Sequence, residues 1–316
     1  MSEFKLQRMN GPLLTPRTEH AWESRAVFNP GTTQQDQFVH MLYRAVEGEN
    51  YSTLGYAKLD LDMQIIERRS QPVIIQESEI EKRGCEDPRI VYFNDSFYIF
   101  YTGFDGENPA ESKNTRVMLA ETHDFRHFRK RGMIGPDVQD KDAMIFPEMI
   151  NKKVVYIHRI IPNIQLAMLD DMEHLISPEK NYWQNYLNHL NDHTILRGEF
   201  KWETDRVGAG PPPLRTEAGW LLIYHGVDNQ KVYRAGAVLL DEKNPYRVIA
   251  RLPYPILEPE TDYEKYGDVN MVVFPEGLVC AEGELLVFYG AADKVIGGAS
   301  GNLKKLLDEL WRHKIK

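Results

Sequence analysis

Phe97-Tyr98-Ile99-Phe100-Tyr101-Thr102, followed by Arg116-Val117-Met118-Leu119-Ala120-Glu121, is the stretch that sets the reading of this chain. Both runs are rich in aromatic, β-branched and aliphatic residues, as in paired β-strands. The same pair recurs four more times, at residues 38–44 and 53–58, 154–159 and 164–168, 220–225 and 233–238, and 285–290 and 295–299. An aromatic residue or histidine near the end of each first run marks the repeat. These markers are Tyr43, Tyr101, His158, Tyr224 and Tyr289, spaced by 58, 57, 66 and 65 residues.

Such a period holds four short strands with their turns. Four-stranded units repeated around an axis make a β-propeller, which leaves only short, protected sheet edges. A β-sandwich needs no regular spacing. The expected fold is therefore all-β, a five-bladed β-propeller over about residues 26–300, in a single domain spanning 1–316. A short C-terminal helix is expected over 301–316, where Leu303, Leu306, Leu307, Leu310 and Trp311 fall at helical spacing behind Asn302, a good N-cap. The polar and aromatic stretch 181–193 reads as a long loop between blades.

Composition narrows the function. Of 316 residues, 42% are hydrophobic and 27% charged, with a net charge of −9. An acidic chain without a basic face does not suit nucleic acid. No apolar run reaches membrane-spanning length, and the polar segment 1–10 lacks the apolar core of a signal peptide. With only Cys85 and Cys280 present, the chain is expected in the reducing cytoplasm, without a membrane partner. Association into a homo-oligomer stays open. No Cys/His metal spacing and no Gly-rich phosphate loop stands out, so neither a metal nor an organic cofactor is expected.

A propeller brings equivalent positions of its blades together at the axis. The residues after the markers are Arg44, Thr102, Arg159, His225 and Gly290. The prolines that open the repeats lie beside Asn29, Asp87, Glu148, Gly210 and Glu276. Carboxylates there suit acid catalysis and sugar-hydroxyl binding, and cations suit an anionic ligand.

Seven motifs in order resemble one family: Gly84-Cys85-Glu86-Asp87-Pro88-Arg89, the run 141–148, His158-Arg159, the run 208–213, Tyr224-His225-Gly226-Val227, Phe274-Pro275-Glu276, and the run 289–293. Over residues 28–299 the chain resembles glycoside hydrolase family 130, the β-mannoside phosphorylases and related β-mannosidases. The resemblance implies inverting phosphorolysis of a β-mannooligosaccharide, with inorganic phosphate as cosubstrate. The products would be α-mannose 1-phosphate and a shortened acceptor. It implies Asp87 as proton donor and Lys141, Arg159, Arg206, His225 and Tyr233 as phosphate ligands. Sugar contacts would come from Arg44, Asn50, Ser52, Arg89 and Asp293. A phosphate anion needs no general base, whereas an inverting β-mannosidase on the same fold must activate water with a second carboxylate. Glu148 and Glu276 are the candidates for that alternative. A non-catalytic sugar-binding propeller would repeat one pocket per blade, but here the blades diverge at the axis. Acceptor choice is expected to rest on loops such as 181–193 and 262–270.

Overall fold

Twenty of the twenty-one strands fall into five four-stranded antiparallel units in this computed structural model, which describes residues 3–106 and 114–315. The first blade is Ala26–Gln35, Phe38–Val46, Ser52–Asp60 and Ile65–Arg68. The second is Gly84–Phe93, Ser96–Phe104, Thr115–Thr122 and Arg129–Met133. A single parallel bridge, Ser52 to Gly84, joins these two into one continuous sheet. The third blade is Lys141–Ile145, Val154–Arg159, Ile164–Leu169 and Thr194–Leu196. The fourth is Arg206–Ala209, Gly219–Val227, Tyr233–Leu240 and Val248–Arg251, with Leu214–Thr216 added beside the second strand. The fifth is Val273–Ala281, Glu284–Ala291 and Val295–Asn302, completed by Gln7–Arg8.

Gln7 pairs with Ser300 and Arg8 with Ala299, so the N-terminal segment supplies the outer strand of the last blade. The propeller therefore draws on residues well before 26. The innermost strands of blades one, two, three and four touch in turn, and that of blade five packs against blades four and one, closing the ring. Apolar side chains fill the spaces between blades, with Phe146 against Trp220 and Tyr156 against Phe100. The C-terminal helix, Leu303–Arg312, is capped by Asn302, whose side chain accepts a hydrogen bond from the Lys305 amide. Leu306, Leu307 and Leu310 bury its apolar face in the core shared by blades four and five.

Two local expectations change. Residues 181–193 lie inside the third blade, between its third and fourth strands, and fold into a helix, Tyr182–Asn188, and a 3-10 turn, Leu190–His193. Tyr182, Trp183, Tyr186 and Leu187 recur at helical spacing and pack on the third-blade core, which makes the segment an ordered cap. The repeat prolines are not equivalent either. Pro30, Pro88 and Pro275 sit in inner strands, whereas Pro147 and Pro211 follow theirs.

The markers earlier read from spacing all lie on second strands, and each grips a buried carboxylate. Tyr43 donates to Glu23 (2.8 Å), Tyr101 to Glu81 (2.6 Å), Tyr224 to Glu203 (2.9 Å) and Tyr289 to Glu264 (2.8 Å). In these four blades a cation from the fourth strand binds the same carboxylate: Arg68, Lys130 (2.8 Å), Arg251 (2.6 Å) and Arg8 (2.8 Å). The carboxylates sit on the segments that lead into the inner strands. Glu203 also takes the amides of Glu199 and Phe200, and Glu264 those of Glu260 and Thr261. Each clasp thus ties an incoming loop to the middle and the rim of its blade. Glycines on the third strands leave room for the rings: a Cβ on Gly55, Gly236 or Gly297 would come within 2.5 Å of Tyr43, Tyr224 or Tyr289.

The clasp yields a stability test. Glu203 is fully buried and Arg251 only 4% exposed. Glu203→Ala leaves a buried guanidinium without its carboxylate, which costs about 3–5 kcal/mol. Denaturant unfolding should show that loss, and a change below about 1 kcal/mol would contradict a structural role for the clasp.

Candidate active site

At the axis, three inner strands bulge at a residue with positive φ: Asn29 (49°), Asp87 (52°) and Asp142 (54°). Asparagine and aspartate tolerate this left-handed conformation better than other side chains. The bulges aim these side chains at the axis, where Asn29 meets Asp87 and Asp142 meets Arg89. Asn29 donates to Asp87 Oδ1 at 2.8 Å. Asp142, rather than Glu148, is thus the third-blade counterpart of Asp87. The repeat prolines do not point to Asp142, because Pro147 follows the strand whereas the bulge lies within it.

Below the cleft lies Arg89, 1% exposed. Its guanidinium reaches the Asp87 carbonyl (3.0 Å), Asp142 (3.2 Å), the carbonyls of Ala209 (3.1 Å) and Gly210 (3.2 Å), and Glu276 (2.7 Å). Arg89 does not line the cleft. Glu276 is fully buried beside it, and burial holds its carboxyl well above the usual range, helped by Asp87 and Asp142 and opposed by Arg89.

The cleft above measures about 570 Å³ and is lined by Asn29, Arg44, Asp87, Lys141, Arg159, Arg206, Tyr233, Phe274 and Asp293, among others. One end gathers Arg44, Asp87 and Asp293. Arg44 is held by Glu86 (2.6 Å) and Ser52 (3.0 Å), and its guanidinium lies 3.5 Å from Asp87. The other end gathers Arg159, Arg206 and Tyr233, with Arg206 and Tyr233 hydrogen-bonded to each other. Lys141 stands between the two ends, 3.6 Å from Asp87 Oδ2. His225 is fully buried behind Arg159, 3.3 Å from it and 3.5 Å from Asp142. Gly208 makes that seat, since a Cβ there would stand 2.4 Å from the imidazole. Burial lowers the His225 pKa well below its ordinary value, against the pull of Asp142, so a neutral imidazole backs the cationic end.

The four carboxyls around the cleft differ in how readily they ionise. Burial raises Asp87, but Lys141, Arg44 and the Asn29 amide outweigh it and hold it below the usual range. Burial and the charge of Asp87 raise Glu86 despite Arg44. Burial also pushes Asp293 up to about 6, with Arg44 opposing and Asp87 assisting. Asp142 is held low because Arg159 and Arg89 overcome its burial.

Of the residues expected in the site, Asp87, Lys141, Arg159, Arg206, Tyr233, Arg44 and Asp293 share this cleft. His225 and Arg89 lie directly behind its wall, and Ser52 braces Arg44. Asn50 is exposed in the 47–51 turn, apart from the lining residues. Glu148 is exposed on another groove, with Pro147, Pro212 and Pro213. Among the described residues, no His/Cys/Asp/Glu group could hold a metal ion, and no helix is long and apolar enough to cross a membrane.

The propeller thus carries an asymmetric cleft at its axis, with carboxyls at one end and two arginines with a tyrosine at the other, an arrangement suited to a polar ligand with an anionic part. The family model described as β-1,4-mannooligosaccharide phosphorylase matches residues 7–312, and the chain belongs to glycoside hydrolase family 130. It is 39% identical to a 1,2-β-oligomannan phosphorylase of Thermoanaerobacter sp. strain X514, over 96% of this chain and 99% of that one. It is 38% identical to a β-1,2-mannobiose phosphorylase of the same organism, over 94% of this chain and 97% of that one. The solved structure of the β-1,2-mannobiose phosphorylase of Listeria innocua, in complex with β-1,2-mannobiose, superposes with a TM-score of 0.81 at 25% identity, covering 98% of this chain and 99% of that one.

The charge states can be measured. The Asp293 carboxyl should titrate near pH 6 by carbon-13 NMR, assigned by its loss in Asp293→Asn. Because this pKa is raised over the unfolded value, its stabilising contribution is complete below about pH 4 and disappears as pH rises through about 6. Wild type should therefore lose stability relative to Asp293→Asn across that window. An Asp293 midpoint below about 4 would contradict the buried, Asp87-facing environment.

Proposed function

We propose that this protein is an inverting β-mannoside phosphorylase that cleaves β-1,2-linked mannooligosaccharides with inorganic phosphate, giving α-mannose 1-phosphate and a shortened acceptor. The observation that carries it is Lys141, placed between the carboxylate Asp87 and the cationic face of Arg159, Arg206 and Tyr233. Such a face suits a phosphate dianion. The β-1,2 linkage is favoured because the relatives that match along nearly their whole length carry that linkage in their names.

In this reading Arg44 and Asp293 hold the mannosyl unit, and Asp87 passes a proton toward the glycosidic oxygen. Its Oδ1 is engaged by Asn29 and Arg44, so Oδ2, facing Lys141, is the oxygen that carries the proton. Lys141, Arg44 and the Asn29 amide outweigh burial and hold the Asp87 carboxyl below the usual range. A phosphate dianion on Lys141, Arg159 and Arg206 offsets those cations and raises the proton affinity of Asp87. Phosphate attacks C1 of mannose from the face opposite the bond that breaks. The electron pair of that bond leaves with the acceptor oxygen, which takes the proton from Asp87. A hydrolase would need a base on the attacking face. Neither Glu148, exposed on another groove, nor Glu276, buried against Arg89, supplies one there. Two unpaired cysteines suit a reducing cytoplasm, where phosphate is abundant.

The test is product analysis on β-1,2- and β-1,4-mannobiose with and without phosphate. Mannose 1-phosphate should form only with phosphate, and faster from the β-1,2 isomer. Asp87→Asn should lower kcat by a factor of at least about 10³ in a folded protein. Arg159→Ala should raise the KM for phosphate by about 10- to 100-fold while changing the KM for the mannoside far less. Release of free mannose at the same rate without phosphate would overturn the reading.

A further inference from the structure

We infer that Asp140 binds a hydroxyl of the leaving sugar, a role that rests on the phosphorylase reading above. In four blades the carboxylate that grips the marker is saturated by a tyrosine hydroxyl and a cation. The third blade departs from this. Its marker is His158, its carboxylate is Asp140, and its fourth strand, Thr194–Leu196, carries no cation. Asp140 Oδ2 lies 2.7 Å from His158 Nδ1, and His158 Nε2 lies 2.7 Å from the Tyr186 hydroxyl. Asp140 Oδ1, in a residue 1% exposed, accepts no hydrogen bond from any described residue.

Asp140 also sits differently along the chain. Glu23, Glu81 and Glu203 lie on the segments that lead into the inner strands, whereas Asp140 directly precedes Lys141 and lines the cleft itself. An unpaired buried carboxylate oxygen is costly, so it persists where a ligand completes it. The ligand group must be a donor, and a carboxylate repels phosphate, which leaves a sugar hydroxyl. The wall around it fits that partner. Asn114, Thr115 and Gln139 line the same part of the cleft, with Gln139 donating to Asn114 (2.9 Å) and the Asp140 amide to the Thr115 carbonyl (3.2 Å). This wall comes from blades two and three. The mannosyl end is built by Arg44, Asp87 and Asp293, and the anion end by Arg159, Arg206 and Tyr233, so the third wall falls to the leaving unit.

The reaction run in reverse separates the two sugars, since α-mannose 1-phosphate and the acceptor are then independent substrates. With His158 Nδ1 protonated toward the side chain, the amide oxygen of Asp140→Asn stays on that N–H and its NH2 takes the place of the free acceptor. The KM for mannose as acceptor should rise about tenfold, with the KM for mannose 1-phosphate unchanged within about twofold. Tyr186→Phe, which weakens the same chain behind His158, should lower the melting temperature and leave both KM values alone. An unchanged acceptor KM in folded Asp140→Asn, or a parallel rise in both KM values, overturns the assignment. If Asp140→Asn does not fold, a crystal of the wild type with mannose decides: Oδ1 within hydrogen-bond distance of a sugar hydroxyl supports the role, and Oδ1 met only by water overturns it. A wild type that consumes no mannose 1-phosphate sinks the phosphorylase reading itself, and the crystal still decides Asp140.

Discussion

One guanidinium holds the centre of this molecule. Arg89 is bonded to inner-strand groups of four blades: the Asp87 carbonyl, Asp142, Ala209 with Gly210, and Glu276. The first blade joins through Asn29, which donates to Asp87, and through Gly31, where a Cβ would stand 2.1 Å from the Pro88 carbonyl. A fully buried cation is costly unless carboxylates and carbonyls surround it. Meeting that demand fixes how near the five inner strands approach, and so where the bulges at Asn29, Asp87 and Asp142 place their side chains. The Asp87 end of the cleft is thus built on the same contacts that close the ring.

The rim is governed by a second, repeated constraint. A tyrosine, a carboxylate and a cation recur in four blades, each anchoring the loop that enters the axis. Their hydrogen bonds satisfy buried polar groups that would otherwise oppose folding. The loops therefore arrive at the cleft in fixed positions, which lets side chains far apart in sequence meet within ångströms. Among the described residues, the third blade alone leaves an oxygen of this carboxylate, Asp140 Oδ1, unpaired, in a residue that lines the cleft.

Much of this was legible in the chain. The markers Tyr43, Tyr101, His158, Tyr224 and Tyr289 gave the five units because strand period and aromatic content are local properties. Asp87 and the residues after the markers were legible as a site because repetition maps sequence onto an axis. The carboxylates Glu23, Glu81, Glu203 and Glu264 were not picked out, although they recur at spacings close to those of the markers. A lone glutamate in a polar loop carries no periodic signal until its partner is known. Arg89 resembled a sugar ligand, but its burial depends on three other blades at once. Glu148 entered through a proline that follows its strand. The N-terminal strand Gln7–Arg8 is two residues long, too short for any pattern to reveal.

The proposed chemistry gains its order from shared charge. Lys141 lies 3.6 Å from Asp87 and lines the same cleft as Arg159 and Arg206, so in that reading it would serve two anions that compete for it. While the cleft holds no phosphate, Lys141 and Arg44 keep Asp87 ionised, and an ionised carboxylate cannot protonate a leaving oxygen. Phosphate draws Lys141 toward itself and adds negative charge near Asp87, and both effects favour the protonated acid. Water brings no charge and produces neither effect. The cations that bind the nucleophile would then also keep the acid unloaded until the nucleophile is present. On that argument the preference for phosphate over water lies in the state of Asp87 as well as in the missing base.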